Sequence, residues 1–255
     1  MVLAPGGSDQ DASALARRLG MPLLADQAEP ESSDYDALVV VGEDGLSVQR
    51  PGTGGPGPVR VDFGSAGMRH RRGSGHNELL GRAVGVGKAP ALRVLDATAG
   101  LGRDSFVLAD LGCEVLMCER DPLVAALLAS GLDRGLVSGD PWLESVLARM
   151  RLWQGDTASL PAEEVAGIDV IYLDPMFPVR RKRAAVKKEM DLFQLLLAGQ
   201  ADDAGELLAW SLERDVARVV VKRPSKAENL AHCKPSHVIA GRAVRYDVYV
   251  RRALG

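Results

Sequence analysis

From residue 90 onward, apolar strand-like runs alternate with helix-like stretches, and this alternation constrains the fold more than any other feature. The strand runs fall at residues 92–97, 114–119, 151–154, 169–174 and 218–222. All but Arg151-Leu152-Trp153-Gln154 are rich in Val, Leu or Ile and bounded by Gly, Asp, Pro or charged residues, the pattern of strands buried on both faces. Helix-like stretches lie at 103–111, at 123–132 behind Pro122 as first helical residue, and at 142–150, 187–198 and 204–214. Strands alternating with helices connect by right-handed crossovers into a parallel sheet covered on both faces. The last two runs, 237–240 and 244–250 around Gly241-Arg242, read as an antiparallel pair closing that sheet. Aromatics are only 4% of the chain, so its core must rest on Leu, Val and Ala.

Residues 1–90 read differently. A short helix is expected at 12–19, a hairpin at 37–41 and 46–48 around Gly42-Glu43-Asp44-Gly45, a further strand at 59–63 and a helix at 78–84. The stretch 51–58 contains only Pro, Gly and Thr and reads as a flexible connection. The expected organisation is a small α+β appendage over 1–90 and the parallel-sheet domain over 91–255.

Several classes are excluded early. The chain has no run of 18 apolar residues to span a membrane, and its start lacks the basic and apolar regions of a signal peptide. Cys113, Cys118 and Cys233 are an odd count without a CxxC, and the four histidines are scattered. That suits neither a disulfide framework nor a metal site, and it predicts a cytoplasmic protein with reduced thiols and no metal.

Candidate site residues cluster at the ends of the predicted strands. Asp96-Ala97-Thr98-Ala99-Gly100-Leu101-Gly102 occupies the first strand-to-helix turn. Its small residues let backbone approach a ligand, and the following helix offers free N–H groups, although a tight turn alone needs the same residues. The run is not G-x-G-x-x-G. Glu119 ends the second strand, 17 residues beyond Gly102. A carboxylate there can accept both ribose hydroxyls of an adenosine-containing ligand, a geometry that serves nicotinamide dinucleotides and S-adenosylmethionine alike. Asp156, ending the third strand, can accept from an adenine amino group or cap a turn.

The fourth strand ends in Asp174-Pro175-Met176-Phe177-Pro178. This resembles the Asp/Asn-Pro-Pro-Tyr/Phe motif of methyltransferases that act on exocyclic amino groups, with Met176 in place of the second Pro. An aryl amine is a weak nucleophile because its lone pair is delocalised into the ring. Asp174 and the Pro175 carbonyl can accept its two N–H hydrogens and turn the lone pair toward a methyl sulfonium, while Phe177 stacks on the base. A plain Asp-Pro turn is the competing explanation.

Six of the nine residues Arg180-Arg181-Lys182-Arg183-Ala184-Ala185-Val186-Lys187-Lys188 are basic. A second cluster is Arg69-His70-Arg71-Arg72, and Lys222-Arg223 ends the fifth strand. Such runs are often solvated faces, but here all three fall near the predicted crevice, where phosphates of an RNA or DNA substrate would pass. The formal net charge of −3, from 31 basic against 34 acidic residues, therefore averages a patterned surface and does not exclude nucleic acid.

Four motifs in order carry a family resemblance: residues 96–104, 172–178 (Tyr172-Leu173-Asp174-Pro175-Met176-Phe177-Pro178), 186–190 and 219–224 (Val219-Val220-Val221-Lys222-Arg223-Pro224). Together they resemble the bacterial ribosomal RNA small subunit methyltransferase J family over roughly residues 35–250. The resemblance implies a Rossmann-like class I S-adenosylmethionine-dependent methyltransferase fold and transfer of a methyl group to N2 of a guanine in 16S ribosomal RNA, free or in the 30S subunit. It further implies that Asp96, Gly100, Gly102, Arg103 and Asp104 surround the cofactor, that Glu119-Arg120 match its ribose end, and that Asp156-Thr157 lie beside its adenine. In the family this last pair is commonly two small polar residues, from which Asp156 departs. Asp174 matches a residue facing both cofactor and substrate. Two other readings compete: a methyltransferase acting on DNA or another exocyclic amine, and a nucleotide-binding module without methyl transfer.

Overall fold

The computed structural model describes residues 2–3, 9–24, 35–51, 57–72, 75–175 and 203–255. Its main sheet has seven strands: β4 (Arg93–Asp96), β5 (Glu114–Glu119), β6 (Met150–Gln154), β7 (Val170–Leu173), β8 (Arg218–Pro224), β9 (His237–Ala240) and β10 (Val244–Val250). They lie in the order β6-β5-β4-β7-β8-β10-β9. The first five pair in parallel, and β10 runs antiparallel between β8 and β9. This is the α/β, Rossmann-like sheet with a closing antiparallel pair that the sequence predicts.

The order explains where a ligand can sit. After β4 the chain moves outward through β5 and β6, then returns to the other side of β4 with β7 and β8. Neighbouring crossovers therefore diverge between β4 and β7, and a crevice opens at their carboxyl ends. Asp96 pairs with Tyr172 and Leu173 with Val221, so Asp96, Asp174 and the end of β8 share one edge.

Helices follow from local signals. Helix α4 (Arg103–Asp110) begins after Gly102, whose φ of 70° lies in the left-handed region. Helix α5 (Pro122–Leu136) is capped by Asp121, whose side chain accepts from the Leu123 and Val124 amides, with Pro122 supplying a preset φ. The same Asp-Pro device, Asp140-Pro141, starts α6 (Pro141–Leu147). The expected 142–150 helix thus ends three residues early and yields to β6. A short helix α7 (Ala162–Val165) and α8 (Ala204–Leu212) complete this part, while the helix expected at 187–198 lies outside the described residues. The core beneath β4, β7 and β8 is aliphatic, with Leu95, Ile171, Leu173, Val219 and Val221 wholly buried.

Ahead of this sheet, the chain forms β1 (Val2–Leu3), α1 (Asp9–Leu19), β2 (Leu38–Gly42), β3 (Gly45–Gln49), α2 (Ala66–Arg72) and α3 (Gly75–Val84). β2 and β3 form the expected hairpin, and β1 adds in parallel to β2. The strand expected at 59–63 reduces to one bridge between Val59 and Val48. α2 has no counterpart in the sequence reading.

Contacts divide the chain into two compact units. Among the described residues, one holds those up to 62 together with 126–134; the other holds 63–72, 75–125, 135–175 and 203–255. Residues 63–90 thus group with the seven-stranded sheet. In that unit Phe63 stacks on Phe106 with ring centroids 5.2 Å apart, and Phe106 meets Trp142 edge to face.

Candidate active site

The turn after β4 is bonded to three neighbouring segments. The Ala97 amide donates to the Tyr172 carbonyl at 3.0 Å, the Ala99 amide to the Cys118 carbonyl at 3.0 Å, and the Thr157 hydroxyl to the Ala97 carbonyl at 2.9 Å. The Asp174 amide donates to the Thr98 hydroxyl oxygen at 2.7 Å. Thr98, standing where a dinucleotide fold has glycine, therefore ties the first turn to the end of β7. Gly100 adopts φ 54°, and a Cβ placed there would meet no protein atom within 4 Å. The backbone at this turn faces open space that a ligand can fill.

Glu119 stands at the end of β5. Its Oε2 accepts from the Gly100 amide and its Oε1 from the Asp121 amide, both at 2.8 Å. Burial raises its pKa, and the two amide bonds oppose that shift. Each carboxylate oxygen retains a second acceptor position, which is what a pair of ribose hydroxyls requires. Asp156 is exposed and caps a 3₁₀ turn, accepting from the Ala158 amide at 2.8 Å. Thr157 beside it is buried, with its proton committed to Ala97. The indole Nε1 of Trp153, two residues before Gly155, is buried without a hydrogen-bond partner among the described residues.

Asp96 is buried and holds the turn from below, accepting from the Thr98 amide at 3.2 Å and the Ser105 hydroxyl at 2.5 Å. Burial pushes its pKa up to about 7, against the pull of the Ser105 and Thr98 bonds. A folded-state pKa above the ordinary value means that the native state holds the proton more tightly. The stabilisation from this group is therefore full at acid pH and is lost as pH rises toward 7. Integrated from the ordinary 3.8, the loss is on the order of 4 kcal/mol. Asp96→Asn mimics the protonated acid. Urea unfolding at pH 5 and pH 8 is expected to show a smaller decline for the variant than for the wild type; parallel declines would count against this assignment.

At the centre of the site, Lys222 of β8 donates from Nζ to Asp174 Oδ2 and Asp104 Oδ2, both at 2.7 Å. The buried Tyr172 hydroxyl donates to the same Asp104 oxygen at 2.7 Å. Asp174 is partly exposed and Pro175 is buried. Asp96, Asp104, Glu119 and Asp174 thus come together at one end of the sheet, as the sequence expects.

The basic residues divide. Lys222 points into the site, and the buried Arg223 donates to the Glu228 carbonyl at 2.6 Å. Arg69 is half exposed, pairs with Asp140 at 2.7 Å and lies over the Trp142 ring at 5.7 Å. Arg103 is partly buried, and Arg120 pairs with Asp203. The side chains of Arg71 and Arg72 lie outside the described residues, as do Met176, Phe177, Arg180, Arg181, Lys182, Arg183, Lys187 and Lys188.

A family model for SAM-dependent methyltransferases matches residues 23–251. A ribosomal RNA small subunit methyltransferase J from Pseudomonas aeruginosa is 49% identical over 243 residues, covering 94% of this chain and 90% of the relative. The chain belongs to the ribosomal RNA small subunit methyltransferase J family. A second member, from Marinobacter nauticus, is 47% identical and covers 95% of the chain and 88% of its own length. The crystal structure of a SAM-dependent methyltransferase from Neisseria gonorrhoeae superposes with a TM-score of 0.73 at 36% identity, covering 98% of this chain and 95% of that one. The class I fold expected of the family is therefore present in the unit built on the seven-stranded sheet.

What the sequence reading missed is the wiring of this family's site. Thr98 departs from the expected glycine and Ser105 and Tyr172 carry no role in the sequence motifs, yet each bonds a candidate residue. One signal was available for Tyr172: a hydroxyl inside a strand otherwise made of Val, Ile and Leu requires a buried partner.

Proposed function

We propose that the protein transfers a methyl group from S-adenosylmethionine to the exocyclic N2 amine of a guanine in 16S ribosomal RNA. The observation that carries this reading is the position of Asp174-Pro175 at the carboxyl end of β7, beside the crevice and across it from Glu119 on β5. S-adenosylmethionine supplies an electrophilic methyl on a sulfonium. Glu119 holds the ribose hydroxyls, and the open backbone at Gly100 admits the cofactor against the turn that Gly102, with its left-handed φ, leads into α4. Arg103, Asp104, Arg120, Asp156 and Thr157 line its remaining length, and Asp96 holds the turn beneath it.

Asp174 and the Pro175 carbonyl accept the two amine hydrogens and direct the nitrogen lone pair at the methyl carbon. A nitrogen–carbon bond forms as the carbon–sulfur bond breaks, and the surplus amine proton leaves toward Asp174 or water. Phe177 stacks on the base. Positioning and electrostatics carry the rate, because no covalent enzyme intermediate is required.

Phosphates would meet cations on the same rim. Exposed Lys226 and Arg242 stand there, since the Ser225 amide donates to the Ala243 carbonyl at 3.1 Å and brings the loop after β8 beside the β9–β10 turn. Arg69 is held instead by Asp140 and over Trp142, whose indole donates to Asp110 at the far end of α4 from this rim, and the basic 180–188 run lies outside the described residues.

The decisive assay gives the protein labelled S-adenosylmethionine with 30S subunits, deproteinised 16S RNA or duplex DNA, and identifies the methylated nucleoside by mass spectrometry. N2-methylguanosine in RNA is expected. Methylated DNA alone, or preferential binding of NAD, would overturn the reading. Glu119→Gln keeps the bulk but loses one acceptor and the charge. Calorimetry with S-adenosylhomocysteine is expected to show affinity weakened by about 30-fold, the scale of one lost charge-assisted hydrogen bond. Unchanged affinity would remove Glu119 from the cofactor site.

A further inference from the structure

We propose that Lys222 is a positioning residue for methyl transfer, fixing the Asp174 carboxylate toward the target amine through a relay of Tyr172, Asp104 and Lys222, and that it does not contact RNA phosphate. This rests on the reading of Asp174 as the amine acceptor.

The geometry supports it at each step. Lys222 Nζ stands 2.7 Å from both Asp104 Oδ2 and Asp174 Oδ2. Its side chain is only 19% exposed, and its chain neighbours Val221 and Arg223 are buried. A lysine that recruits phosphate needs a solvent-facing, mobile ammonium, and this one is held between two carboxylates. Asp104 is fixed in turn by the Tyr172 hydroxyl at 2.7 Å, from a ring that is fully buried. Burial works against the ammonium charge, but the two carboxylates outweigh it and raise the pKa of Lys222.

The charge count also fits amine chemistry. Within the relay itself, two carboxylates face one ammonium. That repels a phosphate and favours an amine nitrogen as it becomes positive during transfer. The ammonium also separates the carboxylates. Without it, Asp104 and Asp174 would face a shared gap, which favours a proton on one of them and removes an acceptor from the amine. The relay further joins the start of α4, directly after the glycine turn, to the end of β7.

The test compares Lys222→Met, Lys222→Arg and Asp174→Ala in steady-state methylation of 16S RNA. For Lys222→Met, kcat is expected to fall about 100-fold, while KM for RNA stays within about threefold and its salt dependence is unchanged. Lys222→Arg, which keeps the charge, should recover about tenfold of that loss. A raised KM with a shallower salt slope and normal kcat would overturn the proposal and restore a phosphate contact. Should Lys222→Met not fold, Lys222→Gln is read in the same way, and full kcat in it overturns the proposal. The two readings separate cleanly. An inactive Asp174→Ala with a fully active Lys222→Met sinks only the role of Lys222, whereas an active Asp174→Ala sinks the reading of Asp174 itself.

Discussion

Asp174→Ala is expected to lower methyl transfer by at least about 1,000-fold while leaving thermal unfolding within a few degrees of the wild type. The catalytic half follows from its task. An exocyclic amine without an acceptor for its hydrogens keeps its lone pair in the ring, and loss of a single oriented electrostatic contact commonly costs about 10²–10³ in rate. Loss of orientation adds to this, because in the proposed role Asp174 would also set the distance from amine to methyl. The stability half follows from its surroundings. The Asp174 side chain is 38% exposed, so its removal opens no core cavity. Lys222 keeps Asp104 as an ion-pair partner at 2.7 Å, so no isolated charge is left behind. The link between Asp174 and the turn after β4 runs through its backbone amide to Thr98 and survives the substitution. Rate and melting temperature measured on one preparation check both halves. Retained activity would remove Asp174 from the chemistry, and a collapse in melting temperature would make it structural.

The parallel sheet was legible because its strands are buried on both faces. Val94-Leu95, Val115-Leu116-Met117 and Val219-Val220-Val221 are continuous apolar runs, and a carboxylate stands at the carboxyl end of several strands. Once strand ends are known, Asp96, Glu119 and Asp174 fall on one edge without further information. The same continuity hid Lys222. A run with no alternation gives no face to its last residue, so charge alone assigned Lys222 to a basic rim, whereas the fold turns it toward Asp104 and Asp174. Arg223 was grouped with it for the same reason and is buried against the Glu228 carbonyl. The start of α6 is legible as well, because Asp140-Pro141 repeats the Asp121-Pro122 signal. The run at 59–63 looked like a strand because Val59, Val61 and Phe63 alternate. All three are buried, but only Val59 pairs with a strand. Alternation reports burial on one side, and a strand also needs a partner edge.

Arg245→Met carries the largest expected effect on stability, about 3–5 kcal/mol. Asp247 lies in β10 between Val221 of β8 and Val238 of β9, and it is wholly buried. Arg245, two residues earlier and so on the same face of the strand, grips it with two donors at 2.7 Å and 3.0 Å. The same guanidinium donates to the Ala227 carbonyl at 2.6 Å and the Asn229 side-chain oxygen at 3.1 Å. Removing it leaves a carboxylate in the sheet without its bidentate partner and frees the loop that follows β8. A buried charge stripped of its partner costs far more than the pair contributes, because the desolvation has already been incurred. For a chain of this length that corresponds to a fall in melting temperature of about 10 °C. Arg245→Met combined with Asp247→Leu removes both charges and is expected to recover most of the loss. A fall below about 1 kcal/mol in the single variant would mean that other groups compensate Asp247. The consequence extends to the site, because the loop held by Arg245 begins directly after Lys222-Arg223-Pro224. Loosening it at a temperature where the protein remains folded should raise KM for RNA through Lys226 and Arg242 before it alters kcat.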